Sequence, residues 1–364
     1  MKHNPQSLTS WRTATALALS AVFAAISPIS PVSVMAQQQK EPDAAPQDTT
    51  PPAAAPDKGP QLKKSEFTAN QVFEKIGKNL DDLDTLSCEI SQSVMLTGQL
   101  FQAVGRYAQA SGNRMRLEYR IFPSRAVNAK DSEKMELGQP APDMSDRKAT
   151  GSLERVSDGT VLWTKWKNGP QQQLTRRNIS EIIEALKDVP NETSVKSLQN
   201  LGVGGLQTLM SQLQVGMDFG EVRELEAEGG NQLVLAGRWS QKTLKDVFKK
   251  SADSPGNLPD YVPDYVRLYV DSARMLPLRI QYLKKHPELT KVRPIVTLDF
   301  RNFDLDFDLN DEVAAKWFEF DRKEGEEIKE EDLTASVIES IKKIATETPS
   351  EDADKKDNEE ATTE

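Results

Sequence analysis

Cysteine and histidine are almost absent from this chain. Its 364 residues include one cysteine, Cys88, and two histidines. A single cysteine rules out any intramolecular disulfide. A Ser-His-Asp triad in the body of the chain has to use His286, which sits in the charged turn Lys284-Lys285-His286-Pro287, and a multi-histidine metal site cannot be assembled. Basic residues do not cluster into a face of the kind that binds nucleic acid. Cys88 lies two residues from Leu86 and two from Ile90, the spacing of a buried apolar thiol on a strand. Such a chain is not expected to be an enzyme, and it calls for no metal or other cofactor.

Carboxylates are plentiful but patterned as surface. Asp299, Asp304, Asp306, Asp308 and Asp311 are interleaved with Leu305, Phe307 and Leu309, as on the solvated face of a strand. A calcium loop needs glycine at its sixth position and glutamate at its twelfth; counted from Asp304, those positions are Leu309 and Ala315. Residues 321–364 carry 16 acidic against 7 basic side chains, so most of the formal charge of −10 belongs to the tail. There it keeps the chain solvated and says little about a substrate.

Long apolar runs are also scarce. The one present, Thr13 to Ile26, follows Lys2 and Arg12 and precedes Val34-Met35-Ala36, a small-x-small cleavage pattern. Pro28 and Pro31 cut it short of the roughly 20 residues a membrane span needs. Residues 1–36 therefore read as a signal peptide cleaved after Ala36, which places the product outside the cytoplasm; the periplasm is what the family resemblance below implies. Residues 37–64, rich in Pro, Ala and Gln, read as a disordered linker. Residues 323–364 read as an acidic tail, with Leu333, Val337, Ile338, Ile341 and Ile344 marking a short amphipathic helix at about 331–346. Packing of that helix on its own domain is the simplest use of its apolar stripe. Packing on a partner is the other; for the chain as a whole, an envelope protein partner and peripheral membrane contact stay open.

The body, 65–322, is patterned mainly as strands. An apolar stripe (Phe67, Val72, Phe73, Ile76, Leu80, Leu83) predicts a helix over 68–83 with Thr68 as cap. Leu86 to Leu96 alternates with period two, Phe101–Ala110 reads as its partner, and Met115, Leu117, Tyr119 and Ile121 alternate with charged residues. Residues 123–151 form a polar insertion. Asp158-Gly159 predicts a type I′ hairpin running into Val161-Leu162-Trp163. Two helices follow, one capped by Ser180 and one over Gly205–Gln214 with Leu206, Leu209, Met210 and Leu213 on one face. Strands resume around Glu221–Glu226, Leu233–Trp239, Val266–Asp271, Leu278–Leu283 and Pro294–Phe300, with a last one at Trp317–Phe320. The fold expected is α+β but mainly β: a curled antiparallel sheet with helices covering one face.

In this order the segments LDTLSCEISQSV, RMRLEYR, RVSDGTVLW, QQQLTR, a Leu-rich helix and a closing WFEFD resemble the LolA-like family of periplasmic lipoprotein carriers, which includes LolB-like, LppX-like and RseB-like proteins. The resemblance spans about residues 66–325. It implies an unclosed antiparallel β-barrel capped by helices, whose apolar cavity holds lipid or lipoprotein acyl chains, and a role in lipoprotein sorting. RseB-like proteins imply an alternative: a periplasmic sensor or interaction module acting on an envelope partner. Lining residues for such a cavity are Met115, Leu117, Tyr119 and Trp163 from strands, with Leu206, Met210 and Leu213 from the helical cover. One departure matters. LolA-type carriers have Arg-Pro after the second strand, whereas Ala108–Asn113 here contains neither residue.

Overall fold

The computed structural model describes residues 62–96, 98–126, 147–187, 205–227, 230–246, 258–259, 261–285, 292–305, 307–308, 316–322 and 328–347. The expected signal peptide, nearly all of the linker, His286 and the bulk of the 123–151 insertion lie outside these residues.

The described strands form one sheet of fourteen, in the order β1-β9-β10-β11-β12-β13-β2-β3-β4-β5-β6-β7-β14, with β8 also pairing β10. The central strands are β2 (Thr85–Leu96), β3 (Gln99–Ala110), β4 (Arg114–Ala126), β10 (Gly230–Trp239), β11 (Tyr265–Asp271), β12 (Pro277–Lys285) and β13 (Val292–Leu305). One wing holds β5 (Gly151–Asp158), β6 (Val161–Asn168), β7 (Gln171–Asn178) and β14 (Glu330–Asp332); the other holds β1 (Leu62–Lys64), β8 (Met217–Phe219) and β9 (Arg223–Ala227). The sheet is curled and unclosed, ending at β1 and β14, so it is not a barrel. It is mixed rather than wholly antiparallel, because β14 joins β7 in parallel. The outermost elements come from segments read as linker and tail: Leu62 pairs Leu225, and Glu330 pairs Leu174.

Helices α1 (Ala69–Asp81) and α3 (Gly205–Gly216) cover the concave face. α1 begins with a capping box in which Thr68 Oγ1 accepts from the Gln71 amide and the Gln71 side chain accepts from the Thr68 amide. Val72, Phe73, Ile76 and Leu80 then face the sheet. They share one core with Leu86, Cys88 and Ile90 of β2, Leu233 and Leu235 of β10, and Leu298 and Phe300 of β13. Helices α2 (Ile179–Leu186) and α5 (Thr334–Glu347) build a smaller core, where Ile179, Ile182 and Leu186 meet Leu162 and Ile341. The tail helix thus packs on its own domain. α4 (Gln241–Asp246) follows β10 and had no clear sequence signal.

Local details depart from expectation for identifiable reasons. Gly159 has φ +99, but Asp158 does not share the positive φ that a type I′ pair requires. The loop is Gly159-Thr160, one residue later, because the Asp158 carboxylate accepts from the amides of Thr160 (2.7 Å) and Val161 (2.8 Å) and stays at the strand end. The cap of α2 is Asn178, whose Oδ1 accepts from the Glu181 amide at 3.1 Å, so the helix starts ahead of Ser180. Trp317–Phe320 forms no strand. Its carbonyls at Trp317 and Glu319 accept from the Arg116 guanidinium, while Trp317 lies under Arg106 and Phe320 stacks on Trp163. Asp299 is not a solvated strand residue either: it is buried, paired with Arg279.

Candidate functional site: the covered concave face

Cross-strand register decides which side chains share this face. One row runs Tyr107 (β3), Leu117 (β4), Arg155 (β5), Thr164 (β6) and Thr175 (β7). The row beside it runs Gln109, Met115, Ser157, Leu162 and Arg177. A third runs Gly105, Tyr119, Leu153, Trp166 and Gln173. The intervening row, Arg116, Val156, Trp163 and Arg176, projects to the convex side.

Of the seven side chains expected to line a cavity, Met115, Leu117, Tyr119, Leu206, Met210 and Leu213 are brought together in the main core, each 4% exposed or less. Trp163 is not among them. It stands on the convex side, stacked on Phe320 at 5.7 Å, because it is one residue out of step with Leu162. Arg116 also lies on that side, bridging Glu118 and Glu154 at 2.5 Å each. Its parity opposite to Leu117 agrees with the alternation in the sequence.

The cover is tied down at one end. The Leu206 amide donates to Tyr107 Oη (3.0 Å) and Gln109 Oε1 (3.2 Å), and Tyr107 Oη donates to Gln109 at 2.7 Å. Along α3, Leu206, Leu209, Met210 and Leu213 then lie against the sheet and α1. Phe73 of α1 meets Phe219 of β8 with ring centroids 4.8 Å apart.

Polar atoms are set into this apolar surface. Gln92 Nε2, Tyr119 Oη, Tyr282 Oη and Arg177 Nε are buried without a hydrogen-bond partner among the described residues, and all four side chains stand on the concave face. Such atoms cost free energy unless water or a bound group satisfies them. Burial holds the phenols of Tyr107, Tyr119 and Tyr282 protonated far above their usual range, and pushes the Cys88 thiol up to about 12. At neutral pH the interior therefore offers neutral phenols, an unreactive thiol and two guanidiniums. That set is suited to holding a ligand and poorly suited to attacking one.

Sequence reasoning missed Arg155 and Arg177. Their signal was the period-two alternation continued back across the Asp158-Gly159 turn, which puts Arg155 in step with Leu153.

No known protein family and no curated protein matches the sequence. Solved structures do match. An uncharacterized conserved protein from Thermus thermophilus is 12% identical, with 72% of this chain and 99% of that one covered and a TM-score of 0.35. The lipoprotein LppX of Mycobacterium tuberculosis is 11% identical, with 65% and 96% covered and a TM-score of 0.29. A LolA superfamily protein from Nitrosomonas europaea is 11% identical, with 66% and 94% covered and a TM-score of 0.22. At such TM-scores these are similarities, and what the site can do follows from its own residues.

Proposed function

We propose that this chain is a non-enzymatic periplasmic carrier that holds an acyl chain, free or belonging to a lipoprotein, between the concave face of the sheet and the helices α1 and α3. The observation that carries this reading is the construction of the cover. A broad apolar face, from β10 through β13 and β2 to β4, is roofed by helices, and the first turn of α3 is fixed to the sheet through Tyr107 and Gln109.

The energetics suit exchange. Lifting α3 exposes Leu206, Leu209, Met210 and Leu213 at roughly 1.5–3 kcal/mol each. A saturated chain of about sixteen carbons, gaining about 0.8 kcal/mol per buried CH₂, offsets a cost of that size. Ligand thus replaces the helix contacts with contacts of like strength. Met115 and Met210 add adaptable surface for an irregular chain.

Solvent extraction and native mass spectrometry of the purified chain test the reading. Co-purified acyl lipid is expected, and Leu206→Arg or Met210→Glu should abolish it. Trp163→Ala, on the convex side, should leave the load unchanged. A wild-type protein that neither retains nor takes up acyl lipid sinks the proposal.

A further inference from the structure

Five large apolar side chains stand exposed among the described residues, and four of them, Val215, Tyr261, Tyr265 and Val292, gather at one end of the molecule. The strands are antiparallel there, so β10 finishes at Trp239 where β11 starts at Tyr265, and β12 finishes at Lys285 where β13 starts at Val292. Helix α3 reaches the same end: the Gly216 carbonyl accepts from the Ser240 amide, which leaves Val215 beside the end of β10. Scattered exposed apolar residues are ordinary, whereas a cluster of them marks an interaction surface. The fifth, Leu62, lies toward the opposite end, paired with Leu225 and through it with Gln232 near the start of β10.

The loop that carries Tyr261 is fixed from beneath. Lys284 Nζ, itself buried, donates to the carbonyls of Leu258 (3.0 Å), Pro259 (3.2 Å) and Val262 (3.0 Å) and to Asp264 Oδ1 (3.1 Å). Trp239 Nε1 donates to the Pro263 carbonyl at 2.6 Å and ties the loop to β10. These bonds hold out a ring that is 65% exposed and therefore adds little burial to the fold. The charge around it is positive. Lys285 stands opposite Val292 in the β12–β13 register, Arg293 adjoins it, and Lys245 of α4 follows β10; all three are exposed. Of the carboxylates described nearby, Asp264 is held by Lys284 Nζ and the Lys285 amide, and Asp218 stands opposite Arg238 in the β8–β10 register.

We infer that this end docks on the surface of a bilayer containing anionic lipid, with Val215, Tyr261, Tyr265 and Val292 entering the headgroup region and Lys245, Lys285 and Arg293 meeting the lipid phosphates. Tyrosine favours that boundary because its ring is apolar and its hydroxyl stays wet. Cations beside an apolar centre add an attraction to anionic lipid that fades within a Debye length. A second copy of this chain, docked on the same patch, would instead bring those cations face to face. The inference goes beyond the carrier reading, because docking here needs no ligand under α3. It brings the end of the cover to the membrane surface where an acyl chain is taken up or released.

Sedimentation of the purified chain with vesicles tests this, using phosphatidylcholine alone and an equal mixture of phosphatidylcholine with phosphatidylglycerol. Binding to the mixed vesicles is expected, with little to phosphatidylcholine, and raised salt should weaken it. Tyr261→Ser/Tyr265→Ser and Lys285→Glu/Arg293→Glu should each lower the affinity by at least on the order of tenfold. Leu62→Ser, at the other end of the sheet, should bind as the wild type does. Equal affinity for the two kinds of vesicle, or none for either, overturns the inference, as does wild-type binding by both double variants. Concentration-dependent dimers that Tyr261→Ser/Tyr265→Ser abolishes would assign this end to a second copy and overturn it too. The acyl load of the same variants should stay unchanged, so a failure of docking and a failure of the carrier reading are told apart. The wild-type comparison of vesicles needs no variant to fold.

Discussion

The hydroxyl of Tyr107 accepts a hydrogen bond from the backbone amide of Leu206 at 3.0 Å, across 99 residues of sequence. This contact joins the β-sheet to the first turn of its helical cover. Gly205 makes it sterically feasible. It has φ +56, and a Cβ there would lie 2.1 Å from the Tyr107 hydroxyl.

Tyr107→Phe removes that acceptor while keeping the ring. Gln109 remains at 3.2 Å from the amide, so the loss should be modest, about 1 kcal/mol, and concentrated in α3. Hydrogen exchange should quicken for residues 205–213 with little change in the central strands. Gly205→Ala should cost more, roughly 1–3 kcal/mol, through the clash and the unfavourable φ. Unchanged α3 protection in both variants would show that the tether does not control the cover.

On the convex face Arg279 and Asp299 form an ion pair, with side chains 11% and 9% exposed. Asp299→Ala leaves a guanidinium nearly buried with its main partner gone, at a cost of about 3–5 kcal/mol. Urea denaturation should show this loss. The double variant Arg279→Met/Asp299→Leu should recover much of it, since apolar replacement of a buried pair is often neutral. A single variant as stable as wild type would mean that the pair is solvated.

The pattern of alternation carried much of the architecture, and its failures have local causes. The strands containing Cys88 and Tyr119 were legible because one face is apolar and the other charged. Trp163 was misplaced because an aromatic residue suits either face, and only the register from Arg116 through Val156 decides between them. Trp317–Phe320 has strand composition, but Arg116 takes its carbonyls. Asp299 alternates like a surface residue, and its burial depends on Arg279, twenty positions away, which no local pattern reveals. The inward arginines of β5 and β7 break the binary pattern of their strands, which is why the alternation did not announce them.

Cys88 offers a probe of the covered face. The residue is 1% exposed, and burial raises the thiol pKa to about 12. The folded value exceeds the ordinary value of 9.0, so this group's contribution to stability is intact below pH 9 and is lost as pH rises toward 12. Reaction with a disulfide reagent at pH 8 should be negligible in the native protein and complete in denaturant. Modification at the rate of an exposed thiol under native conditions would show that the cover opens freely without ligand.

Acid should act at the other end of the sheet. Hydrogen bonds from Thr334, and then Arg176, hold the Asp332 carboxyl at about 2, below the usual 3.8. Its oxygens accept from the Thr334 amide and the Arg176 Nε, both at 2.9 Å, while Thr334 Oγ1 accepts from the Asn178 amide. A depressed carboxylate contributes stability above its unfolded value and loses it as pH falls through the folded one, which sets the window between about pH 4 and pH 2. Asp332 is exposed, so its effect should be local: β14 and α5 leave β7 and α2 while the central sheet persists. Limited proteolysis with pepsin should therefore clip the 328–347 segment preferentially as pH drops from 4 to 2. Asp332→Asn should show the same weakening at pH 7, where its charge and part of its hydrogen bonding to Arg176 are gone. If the segment stays protected at pH 2 and in the variant, the apolar contacts of Ile341 with α2 suffice to hold it, and the Asp332 network only orients the chain.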